Sequence, residues 1–330
     1  MSHTLYNNKT LTKYLDIKMK PLHRYKMKRI MYIKLTILFI LTTIFIISLA
    51  SCGPKGHKHG KHGGPGKQNK YELLTKNDIK TLGEHSFDLN NGTEEQYESA
   101  ANLSGSVEEI QKKTEGLWPR MAKGVVYSAS ESKVNVTENE EFLIFETNNI
   151  PDHILTRTNP NQATAKNYRF FIPKNPKLLD VPYRITKKTQ EIGIALNGVV
   201  IAGPYDSQDK IAPYNRVVDE CSSHADPQGM YHYHFSPLCL KNSKGDAVGA
   251  SPLNQVGWSF DGFKIYGLAD RKKHMPVIDN CNGHSHEGEY HYHATIDYPF
   301  FMGCFKGDPA KTNFEQKQKG RKKSRGKKKN

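Results

Sequence analysis

The sequence lacks the common templates of hydrolytic enzymes. Its 330 residues contain no Gly-x-Ser-x-Gly elbow and no His-Glu-x-x-His zinc motif, so neither catalytic template applies. Tryptophan is scarce, because only Trp118 and Trp258 are available as indole platforms, although 17 Tyr and 14 Phe could serve instead. The longest uncharged apolar run covers residues 35–50, and its sixteen residues fall short of the about 20 that a membrane-spanning helix needs.

The central part of the chain has no basic excess. The formal net charge is +15, yet residues 1–51 carry +8, residues 52–70 carry +5 and residues 316–330 carry +9. Residues 71–315 hold 25 basic and 32 acidic residues, a net charge of −7. A nucleic-acid-binding domain carries its basic patch on the fold itself, so nucleic acid is not an expected partner. A disordered tail is predicted over 306–330, and its basic end either is simply solvated or contacts anionic lipid or acidic glycan.

The N-terminus has the features of a secretory signal. Residues 1–34 hold nine basic residues and one acidic residue, and the short apolar run over residues 35–50 follows. The run closes with Leu-Ala-Ser-Cys, ending at Cys52, which resembles the lipobox of bacterial lipoproteins. The sequence therefore predicts a signal peptide over 1–51 and lipidation of Cys52, which would attach the mature chain to a lipid bilayer. The alternative is a plain signal anchor with an incidental cysteine.

The same features predict where the protein resides. A lipoprotein signal implies the cell envelope, outside the cytoplasm. Gly53 does not resemble the acidic residue that some bacteria use to retain lipoproteins at the inner membrane, so the outer membrane is favoured. The basic flank is long for a signal, and Met27 or Met31 would serve as alternative starts.

Two polar segments precede the expected domain. Residues 52–70 are rich in Gly, Pro, Lys and His and are predicted to form a flexible tether. Its His57, His59 and His62 either collect a divalent metal weakly or are only part of a solvated linker. Residues 71–116 are polar and predicted to be poorly structured or helical, with no function assigned.

The expected folded domain covers residues 117–305 and is mainly β. No long amphipathic helix is evident in it, whereas short β-rich runs alternate with polar turn-forming stretches. Asn197-Gly198 stands between two apolar runs and predicts a tight turn between two strands. The candidate strands are residues 124–127, 141–145, 168–173, 192–196 and 199–201.

The C-terminal half of the chain repeats itself, near residues 196–239 and again near 260–304. In each copy an eight-residue apolar segment is followed by Asp-x-Cys-x-x-His, then by Tyr-His-Tyr-His, then by a further Cys. The shared residues are Asp219, Cys221, His224, residues 231–234 and Cys239 in the first copy, and Asp279, Cys281, His284, residues 290–293 and Cys304 in the second. Two copies predict a compact single domain with an internal pseudo-two-fold duplication, since a solenoid needs at least about three repeats.

These motifs resemble those of the YHYH protein family, a group of secreted proteins that takes its name from the tetrapeptide. The resemblance covers roughly residues 120–305. It rests on the doubled Asp-x-Cys-x-x-His and Tyr-His-Tyr-His, on Asp-Gly-Phe-x-Ile-Tyr-Gly after Phe260, and on the turn ending at His153. The resemblance implies a compact, loop-rich extracytoplasmic domain and gives weight to the histidine clusters, but it implies no established reaction.

The spacing of the histidines favours a metal site. Side chains alternate between the faces of a strand, so both imidazoles of each Tyr-His-Tyr-His share one face and both tyrosines share the other. A third histidine from the preceding Cys-x-x-His would complete a three-His set with an open position, which suits Zn or Cu. The predicted ligands are His224, His232 and His234 in the first copy and His284, His291 and His293 in the second.

Other interpretations of the same residues stay open. Asp219 and Asp279 are predicted to orient ligand imidazoles. Alternatively, the histidines form a metal-free hydrogen-bonded network, which is stable when every member is paired.

The cysteines predict disulfides. Cys52 is assigned to lipid, and the four others are an even number in an oxidising compartment. Cys221–Cys239 with Cys281–Cys304 is one possible pairing, and a cross-repeat pattern is the other. Cys221 and Cys281 are alternative metal ligands, because Cys-x-x-His is an acceptable ligand spacing.

Three functions fit these patterns. The first is a membrane-anchored envelope lipoprotein that binds Cu or Zn. The second is an extracytoplasmic metal-dependent hydrolase, in which loops of both repeats line one cleft. The third is a metal-free module that recognises a polysaccharide or a protein. No catalytic residue can be assigned from the sequence.

Overall fold

A computed structural model describes residues 92–273 and 277–314. The predicted signal peptide over 1–51, Cys52, the tether over 52–70 and residues 315–330 of the predicted tail lie outside the described residues. Residues 306–314 of that tail are described, and Phe314 packs against the main apolar core, so the predicted disorder does not extend to them. The described part is mainly β and contains two disulfides, which confirms the predicted fold class. None of its helices is long and apolar enough to span a membrane.

Three short helices accompany the strands in the described residues. They are α1 (Glu94–Ala101), α2 (Val107–Lys113) and α3 (Ala212–Asn215). Thr93 and Ser106 begin the first two with capping boxes, which satisfy amide groups that a helix start leaves unpaired. The buried side chains of Tyr97 and Ile110 pack in an apolar cluster with Tyr214 and neighbouring residues. The folded part therefore extends to the N-terminal side of residue 117, where the sequence analysis began it.

The strands are short and are mostly joined by turns. They are β1 (Val125–Tyr127), β2 (Val134–Glu138), β3 (Phe142–Thr147), β4 (Leu155–Arg157), β5 (Tyr168–Pro173), β6 (Tyr183–Arg184), β7 (Glu191–Ala195), β8 (Val200–Ala202), β9 (Ser223–Ala225), β10 (Tyr231–Tyr233), β11 (Gln255–Ser259), β12 (Lys264–Leu268), β13 (Gly283–His286), β14 (Glu289–Ala294) and β15 (Cys304–Phe305). The strands expected near 124–127, 141–145, 168–173 and 192–201 are all present. The turn at Asn197-Gly198 is confirmed: Gly198 has φ +76° and its amide donates to the Ala195 carbonyl at 2.9 Å.

Eight strands form the main sheet in the order β13-β14-β12-β11-β7-β8-β10-β9. The two halves meet where β11 and β7 pair antiparallel. On one side β8 runs parallel to β10, which pairs antiparallel with the edge strand β9. On the other side β12 runs parallel to β14, which pairs antiparallel with the edge strand β13. Both Tyr-His-Tyr-His segments thus occupy matching places in the sheet, while a common origin of the two halves stays a prediction.

Three smaller sheets complete the described part, in the orders β2-β3-β5, β1-β4 and β6-β15. The main apolar core includes strand residues such as Ile194 and Ile265, both fully buried, and side chains of β3 and β5. All four tyrosines of the Tyr-His-Tyr-His segments belong to this core. The histidines between them therefore project to the opposite face of the sheet, as the alternation of a strand requires.

Candidate metal centres

The tyrosine side chains fix each Tyr-His-Tyr-His segment from inside the core. The Tyr231 hydroxyl donates to Oδ2 of Asp219 at 2.9 Å, and the Tyr290 hydroxyl oxygen lies 3.1 Å from both carboxylate oxygens of Asp279. The second tyrosine of each segment contacts the residue before the glycine of a tight turn. These pairs are Tyr233 with Asn197 at 3.0 Å and Tyr292 with Asp261 at 2.6 Å. Because buried hydroxyl groups need partners, these bonds hold the strand and hence the direction of its histidines.

The first triad consists of His224, His232 and His234. Nε2 of His234 lies 3.1 Å from Nε2 of His232 and 3.0 Å from Nε2 of His224. In a tetrahedral zinc site with Zn–N bonds of about 2.0–2.1 Å, neighbouring nitrogens are roughly 3.3–3.4 Å apart. The two distances from Nε2 of His234 are thus close to the spacing of metal ligands, and the ligand atoms of all three residues lie within 4.8 Å of one another.

Hydrogen bonds alone do not satisfy the first triad. Nδ1 of His232 lies 3.0 Å from the Met230 carbonyl oxygen and must donate to it, so Nε2 of the neutral ring presents a lone pair. The amide nitrogen of Asn159 lies 3.3 Å from Nδ1 of His224, which places that ring's proton on Nε2. Nε2 of His234 faces both atoms. If it carries a proton it can donate only to His232, and if it presents a lone pair it can accept only from His224, so one contact is unsatisfied in either tautomer.

A cation between the three rings would resolve this conflict, because it accepts a lone pair from each Nε2. Coordination through Nε2 would place the proton of His224 on Nδ1, which faces the side-chain amide of Asn159. The conflict at Nε2 of His234 is thus better resolved by a metal than by a closed hydrogen-bonded network.

Burial sets the protonation state of the first triad. Loss of hydration lowers the pKa of His224, His232 and His234. The neighbouring imidazoles lower the pKa of His224 and His234 further, and the Arg216 guanidinium adds a smaller effect of the same sign. All three rings are therefore neutral at pH 7, which is the form that binds metal.

The second triad repeats this arrangement with His284, His291 and His293. Nε2 of His293 lies 3.1 Å from Nε2 of His284 and 3.1 Å from Nε2 of His291. The strand pairing explains the convergence, since His284 of β13 stands opposite His291 of β14. The ring of Tyr266 on β12 packs against the triad, with its centroid 4.8 Å from that of His291 and 5.6 Å from that of His293.

The two triads lie in opposite halves of the sheet. Four strands stand between β10 and β14, which places them five strand spacings apart, about 24 Å along the sheet. Each triad is therefore a separate site that would hold one ion. This placement does not support the expectation that loops of both repeats line a single cleft.

The acidic residues have another role than the one predicted for them. Oδ1 of Asp219 accepts from the amides of Cys221 and Ser223 and from the Ser223 hydroxyl, and Oδ2 accepts from Tyr231. Asp279 accepts from the amides of Cys281 and Gly283 and from Tyr290. Both carboxylates thus organise the Asp-x-Cys-x-x-His loop and the core tyrosine, instead of orienting a ligand imidazole.

Three residues around the first segment were not assigned from the sequence. Asn149 has φ +58°, donates to the Tyr231 carbonyl at 2.8 Å and accepts from the Val200 amide at 2.9 Å, so it joins β10 to β8. His153 and Asn197 both contact the Tyr233 hydroxyl, at 2.9 and 3.0 Å. The turn motif ending at His153 and the doubled Asn/Asp-Gly were the signals that could have identified them.

The disulfides join Cys221 to Cys239 and Cys281 to Cys304. This is the pairing within each copy, so the cross-repeat pattern is wrong, and the bonded sulfurs are not thiolate ligands. The same bond removes His153 with Cys221 and Cys239 from the candidate metal sites, although their ligand atoms lie close together. Each disulfide closes a loop that contains all three histidines of one triad.

The structure thus defines a mainly β, disulfide-linked domain with two largely buried histidine triads. A comparison with protein families matches the family described as YHYH protein to residues 169–275. The match supports the family resemblance over this segment, which is similar to the YHYH protein family. The matched segment holds the first triad, whereas the second triad lies beyond it. No curated protein and no solved structure matches the chain.

Proposed function

We propose that this protein binds transition-metal ions, zinc or copper, one in each histidine triad. The observation that carries the proposal occurs in two places of one sheet. In each, the Nε2 atom of one histidine lies 3.0–3.1 Å from the Nε2 atoms of two others. Imidazole is a common ligand of both metals. Each triad supplies three imidazole donors, and a bound ion would act as a Lewis acid at any coordination position left open.

We further propose that the protein acts in the cell envelope, attached to a bilayer through lipid on Cys52. The support is the order of basic flank, apolar run and Leu-Ala-Ser-Cys in the sequence. The outer membrane is the proposed location, and the basic tail over 316–330 is the proposed contact for anionic lipid or glycan. Incorporation of radiolabelled palmitate tests the anchor: the wild type is expected to take up label, and Cys52→Ala is expected to lose it.

The metal proposal is tested by element-resolved analysis of the purified protein, prepared without chelator and without a His tag. The expected content is about two equivalents of zinc or copper, one per three-His site. The variants His232→Asn/His234→Asn and His291→Asn/His293→Asn are each expected to lose about one equivalent. Replacing His57, His59 and His62 of the tether with Asn is the matched control, and it should leave the content unchanged.

Circular dichroism decides whether a variant that has lost metal is still folded. A folded wild type that binds negligible zinc and copper, even after both are added, contradicts the proposal. The triads would then be structural, and a glycan or protein ligand would be the next candidate.

A further inference from the structure

The second triad has a neighbour that the first lacks. Strands β13 and β14 form a tight hairpin, in which His284 stands opposite His291 and His286 stands opposite Glu289. Glu287 (φ +52°) and Gly288 (φ +85°) form the two-residue turn, and two positive φ values are typical of a type I′ hairpin. Because β13 continues to His286, this side chain lies on the same face as His284, two residues earlier.

The corresponding hairpin in the first half has no histidine at this place. It is one residue longer, and β9 already ends at Ala225. Asp226 takes the place of His286, and its Oδ1 accepts hydrogen bonds from the amides of Gln228 and Met230 at 2.9 and 2.8 Å. This carboxylate stabilises the longer turn.

The surroundings of the second triad leave one side open. Tyr266 of β12 covers the inner side, where the first half has the smaller Ala202. On the outer side β13 is the edge strand of the sheet, and His286 is exposed. Its ring centroid lies 6.4 Å from that of His284, so a rotation of the exposed side chain can bring a ring nitrogen to the triad. Glu289 is held in an ion pair by Lys264 at 3.3 Å, which leaves His286 as the available donor.

From this geometry we infer that His286 is the fourth ligand of the metal in the second triad, an inference that rests on the proposed function. The second site then offers four imidazoles and closes around its ion. The first site, among the described residues, offers three. Four protein ligands are typical of zinc sites that retain their metal, whereas three leave a position for water or another ligand. The two sites thus differ in kind, and only the first keeps an exchangeable position.

The test compares His286→Ala with Ser285→Ala in the otherwise intact protein. Ser285 is the exposed neighbour on the opposite face of the same strand, so it is the matched control. Zinc affinity is measured for both equivalents by competition with a chelator. His286→Ala is expected to lower the zinc affinity of one equivalent at least about tenfold. Loss of a residue that only hydrogen-bonds a metal ligand already costs about this much affinity. The other equivalent and the Ser285→Ala protein are expected to match the wild type.

A second measurement uses the wild-type protein, so it does not depend on whether a variant keeps both metal sites. In ¹⁵N NMR of the histidine rings, zinc should shift one ring nitrogen of His286 together with those of the second triad. Two bound equivalents with no shift at His286, and no difference between His286→Ala and Ser285→Ala, would overturn the inference while the proposed function stands. A wild-type protein that binds no zinc would contradict both this inference and the proposed function.

Discussion

Tyr292 and Asp261 form the shortest tyrosine–carboxylate contact among the described residues, with 2.6 Å between the hydroxyl oxygen and Oδ2. Both side chains are fully buried. The hydroxyl also accepts from the Lys306 amide at 2.7 Å, so one tyrosine connects β14, the turn before β12 and the segment after β15. In the first half the same place is taken by Tyr233, which contacts the neutral amide of Asn197 and the imidazole of His153.

Tyr292→Phe is therefore expected to destabilise the domain by about 1–3 kcal/mol, because it removes one partner of the buried Asp261 carboxyl and the partner of the partly buried Lys306 amide. Urea unfolding measures the change. Tyr183→Phe is the matched control, since Tyr183 is 51% exposed, and a surface change of this kind should stay within about 0.5 kcal/mol. Equal stabilities of the two variants would show that the Tyr292 hydroxyl contributes nothing.

Asp219 predicts a pH-dependent stability. Burial raises the pKa of its carboxyl to about 7, despite hydrogen bonds from Ser223 and Tyr231 that favour the charged form. Between the ordinary pKa of about 4 and this value, the unfolded chain ionises the carboxyl while the folded chain keeps it protonated. The stability that the folded state gains from the protonated Asp219 carboxyl is thus fully present below about pH 4. It is lost as the pH rises through about 7.

Asp219→Asn removes this dependence, since the amide keeps an acceptor for the loop amides and a donor for Tyr231. The quantity to measure is the free energy of unfolding of wild type minus variant, from pH 4 to pH 8. It is expected to decrease steadily up to about pH 7 and then to level off. A difference that does not change with pH would show that Asp219 is ionised throughout the range.

A third prediction concerns Gly283. The first half has Ser223 in the same place of the repeat, so Gly283→Ser copies that residue into the second half. A Cβ on Gly283 would lie 2.4 Å from the His291 carbonyl oxygen and 2.4 Å from the Tyr290 hydroxyl. Gly283→Ser is expected to cost about 1–3 kcal/mol, as overpacking does, and to displace β13 from β14. Ser285→Ala on the same strand serves as the control in thermal or urea unfolding. If Gly283→Ser is as stable as this control, the two hairpins tolerate the same side chains.

Much of each triad could be predicted from residue spacing alone. The period of two along a strand placed His232 with His234 and His291 with His293, since any strand over these residues has that alternation. The Asn197-Gly198 turn was equally local, because the left-handed conformation at Gly198 depends on the residue type. Cys-x-x-His supplied the third imidazole, as the loop is short enough to return beside the same strand.

The rest depended on how distant segments pack. The sequence does not contain the strand order that places the triads in opposite halves of the sheet, because order follows from pairing between strands far apart in the chain. Asp219 and Asp279 were assigned to imidazoles, yet the tyrosine hydroxyls reach them first from the core side of the strand. The choice between the disulfide patterns likewise needed the positions of Cys239 and Cys304, which follow irregular segments.

The disulfides have a consequence for metal uptake during folding. Each closes a loop with a sequence separation of 18 or 23 residues, and all three histidines of a triad lie inside it. In an unfolded chain with intact disulfides, these imidazoles stay at an effective concentration of order millimolar relative to one another. The oxidised unfolded chain is thus itself a weak chelator, and any metal that it binds reduces the stabilisation that metal gives the native state. Protection of the disulfide-intact protein by zinc should accordingly be smaller than the zinc affinity of its folded state alone implies.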